Sequence, residues 1–93
     1  MRESLIELYL NRKVKLLGGL SFKWVSPGRR GVPDRIVLLH GEVWFIEVKA
    51  EGGSLSALQA YTLNQLKEAG ANVYVAHGRG GVDEFLKHCK AGV

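Results

Sequence analysis

Residues 32–49 read VPDRIVLLHGEVWFIEVK, two apolar runs interrupted once, at His40-Gly41. Arg35 to Leu39 and Glu42 to Lys49 are rich in Val, Ile, Leu, Trp and Phe, which suit a pleated, half-buried strand. Glycine takes positive φ without a steric penalty, so His40-Gly41 is expected to form a two-residue hairpin loop. That loop sets the register. With Leu39 opposite Glu42, Leu38 faces Val43, Ile36 faces Phe45, and Asp34 faces Glu47 with Cβ atoms roughly 5 Å apart. Side chains alternate along a strand, so Lys49 returns to the face of Glu47, while Trp44, Ile46 and Val48 point into the body of the domain. One turn thereby gathers two carboxylates and an amine.

Outward from the hairpin, the chain alternates periodic segments with glycine-rich breaks. Arg2 to about Leu17 reads as a helix with Leu5, Ile6, Tyr9, Leu10, Leu16 and Leu17 on one side. On that wheel Glu3 falls at the margin of the apolar side and Glu7 one step further out, so Glu3 is the carboxylate expected nearer the core. Leu20 to Val25 is a first strand, followed by the loop Ser26-Pro27-Gly28-Arg29-Arg30-Gly31. Pro33 can open a strand but not continue one. Ser56-Ala57-Leu58-Gln59 matches a capping box, so a helix should run from there to Ala69, with Gly70 ending it. Asn72 to Ala76 forms a fourth strand and Val82 to about Lys90 a last helix, with His77-Gly78-Arg79-Gly80-Gly81 as a flexible turn. The order is αβββαβα. A crossover containing a helix makes the fourth strand parallel to its neighbour, giving an α/β fold with a central mixed four-stranded sheet flanked by helices.

The 93 residues are enough for one core and are expected to form one domain over residues 1–93. Thirteen Lys and Arg against nine Asp and Glu leave a net charge of +4, which favours a polyanionic partner. Much of the positive charge falls in the first half. Cys89 is the only cysteine, and no apolar run approaches the ~20 residues of a membrane span, so an intracellular, reducing location is expected. His40, His77, His88 and Cys89 lack zinc-ligand spacing.

Carboxylates converging on one spot repel, so they either retain a proton or bind a cation. Hard oxygen ligands suit Mg²⁺ or Mn²⁺, and such an ion activates a bound water and draws charge from a phosphodiester. Lys49 would then orient the nucleophile or stabilise developing charge. Ser26, Arg29 and Arg30, in the loop entering the site, are candidates for phosphate contacts, with Lys23 behind them.

The Asp34, Glu47, Lys49 arrangement resembles the PD-(D/E)XK nuclease superfamily, whose core is restriction-endonuclease-like. The fuller string resembles its VRR-NUC branch, through Glu3, Gly31-Val32-Pro33-Asp34-Arg35, Glu47-Val48-Lys49 and Ser56 to Gln59. The resemblance implies Asp34, Glu47 and the Val48 main-chain carbonyl as metal ligands and Lys49 as the catalytic lysine. It further implies Gln59 as a site residue and Glu3 as a helix carboxylate that helps hold or position the metal, directly or indirectly. Free-standing members are similar to archaeal-type Holliday junction resolvases, which implies a homodimer acting on branched DNA in a bacterial or phage-infected cell. The expectation is a metal-dependent, structure-selective DNA endonuclease. The alternatives are an inactive DNA-binding module and a nuclease subunit of a larger repair assembly.

Overall fold

The computed structural model describes residues 1–89. Its elements run α1 (Glu3–Leu16), β1 (Leu20–Lys23), β2 (Arg35–Leu39), β3 (Glu42–Lys49), α2 (Ala57–Glu68), β4 (Asn72–His77) and α3 (Gly78–Cys89). The sheet order is β1-β2-β3-β4, antiparallel through β3 and parallel between β3 and β4. This is the expected αβββαβα order and mixed sheet.

The hairpin register is the one the turn dictates: Leu39 pairs with Glu42, Leu38 with Val43 and Ile36 with Phe45. His40 (φ 52) and Gly41 (φ 81) both take positive φ, the twist-matched geometry of a two-residue hairpin. Val37, Leu39, Trp44, Ile46 and Val48 therefore lie on one face. There they meet Ile6, Leu10 and Val14 of α1 and Val82, Phe85, Leu86 and Cys89 of α3. Each fully buried aliphatic or Phe side chain contributes about 1.5–3 kcal/mol, so this layer carries the fold. Trp44 and Tyr74 pack against Phe85 with centroids 5.4 and 5.3 Å apart. Helix α2 covers the opposite face, begun by the Ser56 capping box and followed by Gly70 at φ 98.

Two sequence expectations are corrected. The buried seam of α1 is Ile6, Leu10 and Val14, whereas Leu5, Leu16 and Leu17 are exposed. A shallow sheet accepts one row of residues four apart rather than the wider apolar stripe. The seam is thus rotated toward the side that bears both Glu3 and Glu7; Glu7 becomes half-buried, while Glu3, at the very start of the helix, is exposed. The second correction concerns residues 78–81, which belong to α3 and not to a flexible turn. A Cβ at Gly81 would stand 3.0–3.1 Å from Ala76 backbone atoms, so the glycine lets the helix start directly against β4. Arg79 lies over the Tyr9 ring at 4.3 Å, and the Tyr9 hydroxyl donates to Asp83 at 2.7 Å, which ties that first turn to α1. Lys90, expected at the end of this helix, lies outside the described residues. No helix among them is long and apolar enough to cross a membrane.

Candidate active site

Asp34 immediately precedes β2, and the register continued by one residue sets it opposite Glu47. Its Oδ2 accepts the Val48 N–H at 2.8 Å. The Trp24 N–H donates to the Asp34 carbonyl at 3.0 Å, so the main chain of Asp34 faces β1, and alternation turns that of Arg35 and Pro33 toward β3. One further step of register places Pro33 opposite Val48. Any other residue there would donate its N–H to the Val48 carbonyl, but proline has none to give. The Val48 carbonyl, on the same side of the strand as the N–H held by Asp34, is thereby free of that ladder bond. The proline supplies the vacancy that a main-chain metal ligand needs.

Glu47 is 2% exposed and Lys49 9%. Lys49 Nζ stands 3.5 Å from Glu47 Oε2, which also accepts from Gln59 Nε2 at 3.1 Å. Gln59 serves two purposes at once. Its Oε1 accepts the Ser56 N–H at 2.9 Å to complete the capping box, while its amide nitrogen reaches Glu47. Helix start and site are thus joined by one side chain.

Burial, and next the Asp34 carboxylate, push Glu47 up to about 7, against the opposing pull of Lys49. Burial also raises Asp34, opposed by its bond from Val48 and helped by the negative charge of Glu7. Two adjacent carboxylates that resist joint ionisation are suited to a divalent cation. Asp34 Oδ2 and Glu47 Oε2 accept from protein donors, so Asp34 Oδ1 and Glu47 Oε1 are the oxygens that could be offered to an ion. Among the described residues no group of three His, Cys, Asp or Glu side chains gathers at metal-binding distance. The donors available are two carboxylates and the Val48 carbonyl, a set that would suit only an ion that keeps much of its water shell.

Glu3, expected as a third carboxylate, is exposed and stands outside this group. Glu7 takes the nearer place: its Oε2 pairs with Arg35 Nη1 at 3.1 Å and Lys23 Nζ at 3.5 Å. Arg35 also donates to the Ser21 hydroxyl and carbonyl, both at 3.1 Å. Arg35 is therefore an internal strut, while Lys23 keeps a side chain 60% exposed despite its ion pair. Arg29 and Arg30 are exposed and Ser26 half-buried in the entering loop, and Arg29 donates to Gln65 of α2. Gly31 seats this loop against the helix: a Cβ there would stand 2.9 Å from Leu58 and 3.1 Å from Thr62. Sequence reading weighed Glu7 against Glu3 as the helix carboxylate and ranked it second, and it missed the pairing of Glu7 with Arg35. The acid directly before Arg35, and glutamates four apart on α1, were the available signals.

A mixed four-stranded sheet with carboxylates at the mouth of its central hairpin defines a nuclease core of the restriction-endonuclease-like fold. The model of the VRR-NUC domain family matches residues 15–80, and the chain belongs to that family. A solved VRR_NUC domain is 34% identical, with a TM-score of 0.87 over 92% of this chain and 95% of that one. Archaeoglobus fulgidus Hjc, a Holliday junction resolvase from an archaeal hyperthermophile, shares the fold at 23% identity and a TM-score of 0.61. That likeness covers 81% of this chain and 67% of the resolvase. The protein named "Putative nuclease p44" of Acyrthosiphon pisum secondary endosymbiont phage 1 is 53% identical over 53 residues. The match spans 56% of this chain and 57% of the length of p44.

Proposed function

We propose that this chain is a Mg²⁺- or Mn²⁺-dependent endodeoxyribonuclease that hydrolyses phosphodiester bonds in branched DNA, as one domain over its length. The observation that carries the reading is the meeting of Asp34 and Glu47, with the Asp34 carboxylate bonded to the Val48 N–H and Lys49 beside Glu47. Asp34, Glu47 and the Val48 carbonyl would hold the ion, and Glu3 would act on it only from a distance. When bound, the ion supplies an acidified water and charge neutralisation at the phosphate. Gln59 and Lys49 fix the Glu47 carboxylate, and Lys49 offers its nearly buried ammonium to the attacking water or the phosphate oxygens.

Lys23, Ser26, Arg29 and Arg30 stand at the loop entering the site, where they suit phosphate oxygens rather than base edges. A domain of this size gains selectivity from DNA shape and from symmetry. The fold shared with the archaeal resolvase favours a homodimer on junction DNA. Leu20, Phe22, Leu38 and Val43 are exposed side by side on the sheet face that bears the site, and that patch is the surface offered to a second copy. The phage relative fits a setting inside a bacterial or phage-infected cell.

The test is incubation of the protein with labelled four-way junctions, flaps and plain duplex, with and without Mg²⁺ or Mn²⁺, while light scattering reports the oligomer. Metal-dependent cutting of branched substrates is expected, and Lys49→Ala should lower it at least about a hundredfold while leaving junction binding intact. Salt-sensitive binding without turnover would make the chain a binding module instead. Gln59 separates its two tasks under mutation. Gln59→Ala and Gln59→Glu should each cost about 10- to 100-fold in cleavage, because both disturb Glu47. In urea melts Gln59→Ala should also lose about 0.5–2 kcal/mol with its capping-box bond, whereas Gln59→Glu keeps that bond and is destabilised instead by carboxylate repulsion with Glu47, a loss that should fade at acid pH.

A further inference from the structure

We propose that the cleft between the loop entering the site and helix α2 receives a single unstacked base of the DNA substrate, beside the bond that is cut. This rests on the nuclease reading and names the feature of branched DNA that the site recognises. The cleft holds about 320 Å³, near the lower limit of ligand pockets, which suits one planar heterocycle. Trp24, Val32 and Leu66 give it apolar walls, and Ser26, Arg29, Thr62 and Gln65 supply hydrogen-bonding groups. A phosphate would call for donors alone, whereas a base needs flat apolar walls with donors and acceptors at its edge.

Thr62 supplies an independent observation. It is 2% exposed, yet its hydroxyl has no hydrogen-bond partner among the described residues. A buried hydroxyl is costly to leave unmet, and it can donate to or accept from a base edge. Arg29 and Gln65 bond to each other at the cleft and can exchange that bond for one to an incoming base. The cleft also adjoins the site through the residues that line it. Thr62 lies one helical turn beyond Gln59, which holds Glu47, and the Trp24 N–H binds the Asp34 carbonyl. Unstacking is least costly at a branch, so a base receptor here discriminates against intact duplex without reading sequence.

The test is a series of branched DNAs in which each nucleotide flanking the branch is replaced in turn by an abasic analogue, with both cleavage and equilibrium binding measured. One position is expected to lose about tenfold in kcat/KM and in affinity, the worth of one base–aromatic stack. Ala69→Leu, which fills the cleft from its exposed rim, should weaken the intact substrate similarly and erase the abasic penalty at that position. Thr62→Val, which keeps the side-chain shape, should lower affinity for the intact DNA and shrink the penalty. Equal losses at every position, or a positional penalty that both variants leave untouched, would overturn the proposal. Binding is read without turnover, so a protein that cuts nothing refutes the nuclease reading while the binding series still judges the cleft. A protein that binds no DNA refutes both. Free deoxynucleoside monophosphates are titrated against tryptophan fluorescence in parallel. Quenching by them alongside a flat abasic series would assign the cleft to a free nucleotide and overturn its role toward DNA.

Discussion

Glu47→Gln is expected to yield a protein that cuts no DNA and yet, at pH 8 without metal, melts at a higher temperature than the wild type. Glu47 is raised from 4.5 to about 7 by burial and by Asp34, with the attraction of Lys49 already included. The fold therefore favours its neutral form. For an acid raised in this way, the favourable contribution is fully present below pH 4.5, declines as pH rises toward 7, and is lost above that. Glutamine mimics the neutral form at every pH, so the gain should appear above pH 7 and vanish below about pH 4.5. A shift of roughly 4–8 °C corresponds to about 1 kcal/mol in a domain of this size. Mg²⁺ or Mn²⁺ should stabilise the wild type at pH 8 and the variant much less. Cleavage should fall at least about a thousandfold, because the ion loses a charged ligand. Thermal melts across pH, with and without metal, check the first part, and a junction-cleavage assay checks the second. A variant that melts lower at pH 8 would show that the carboxylate stabilises the empty site.

Asp34 separates chemistry from structure. Asp34→Ala and Asp34→Asn should both lose cleavage at least about a thousandfold, since each removes the charge opposite Glu47. Their stabilities should differ. The Asp34 Oδ2 is the acceptor for the Val48 N–H, and an asparagine carbonyl can keep that bond whereas alanine leaves the N–H unmet. The cost to the alanine variant is about 1–3 kcal/mol, and urea unfolding reads it. Both variants should still bind junction DNA, because the exposed basic groups of the entering loop are untouched. Equal stabilities for the two would mean that solvent satisfies the Val48 N–H.

The hairpin was readable because a two-residue loop leaves no freedom in register: fixing Leu39 against Glu42 fixes Asp34 against Glu47. Helix α2 was readable for a similar reason, its start being marked by Ser56 and Gln59 and its end by Gly70. Where several arrangements satisfy the same pattern, tertiary packing decided. Helix α1 carries more apolar residues than its seam can bury, so hydropathy alone could not select the Ile6, Leu10, Val14 row or bring Glu7 inward. Residues 78–81 looked like a turn because glycine is a poor helix former. Their role in letting α3 abut β4 depends on how near Ala76 stands, which no local pattern encodes. The cleft of Trp24 and Thr62 joins a loop to a helix far along the chain, and nothing at either position marks it.

Asp34, Glu47, Val48, Lys49 and Gln59 all come from one unbroken stretch, residues 34–59, and the family match of 15–80 encloses it while leaving Glu3 and Glu7 outside. The candidate site is therefore local in sequence although it draws on two strands and a helix start. The terminal helices back it from outside that stretch, α1 through the Glu7–Arg35 ion pair as well as through its apolar seam.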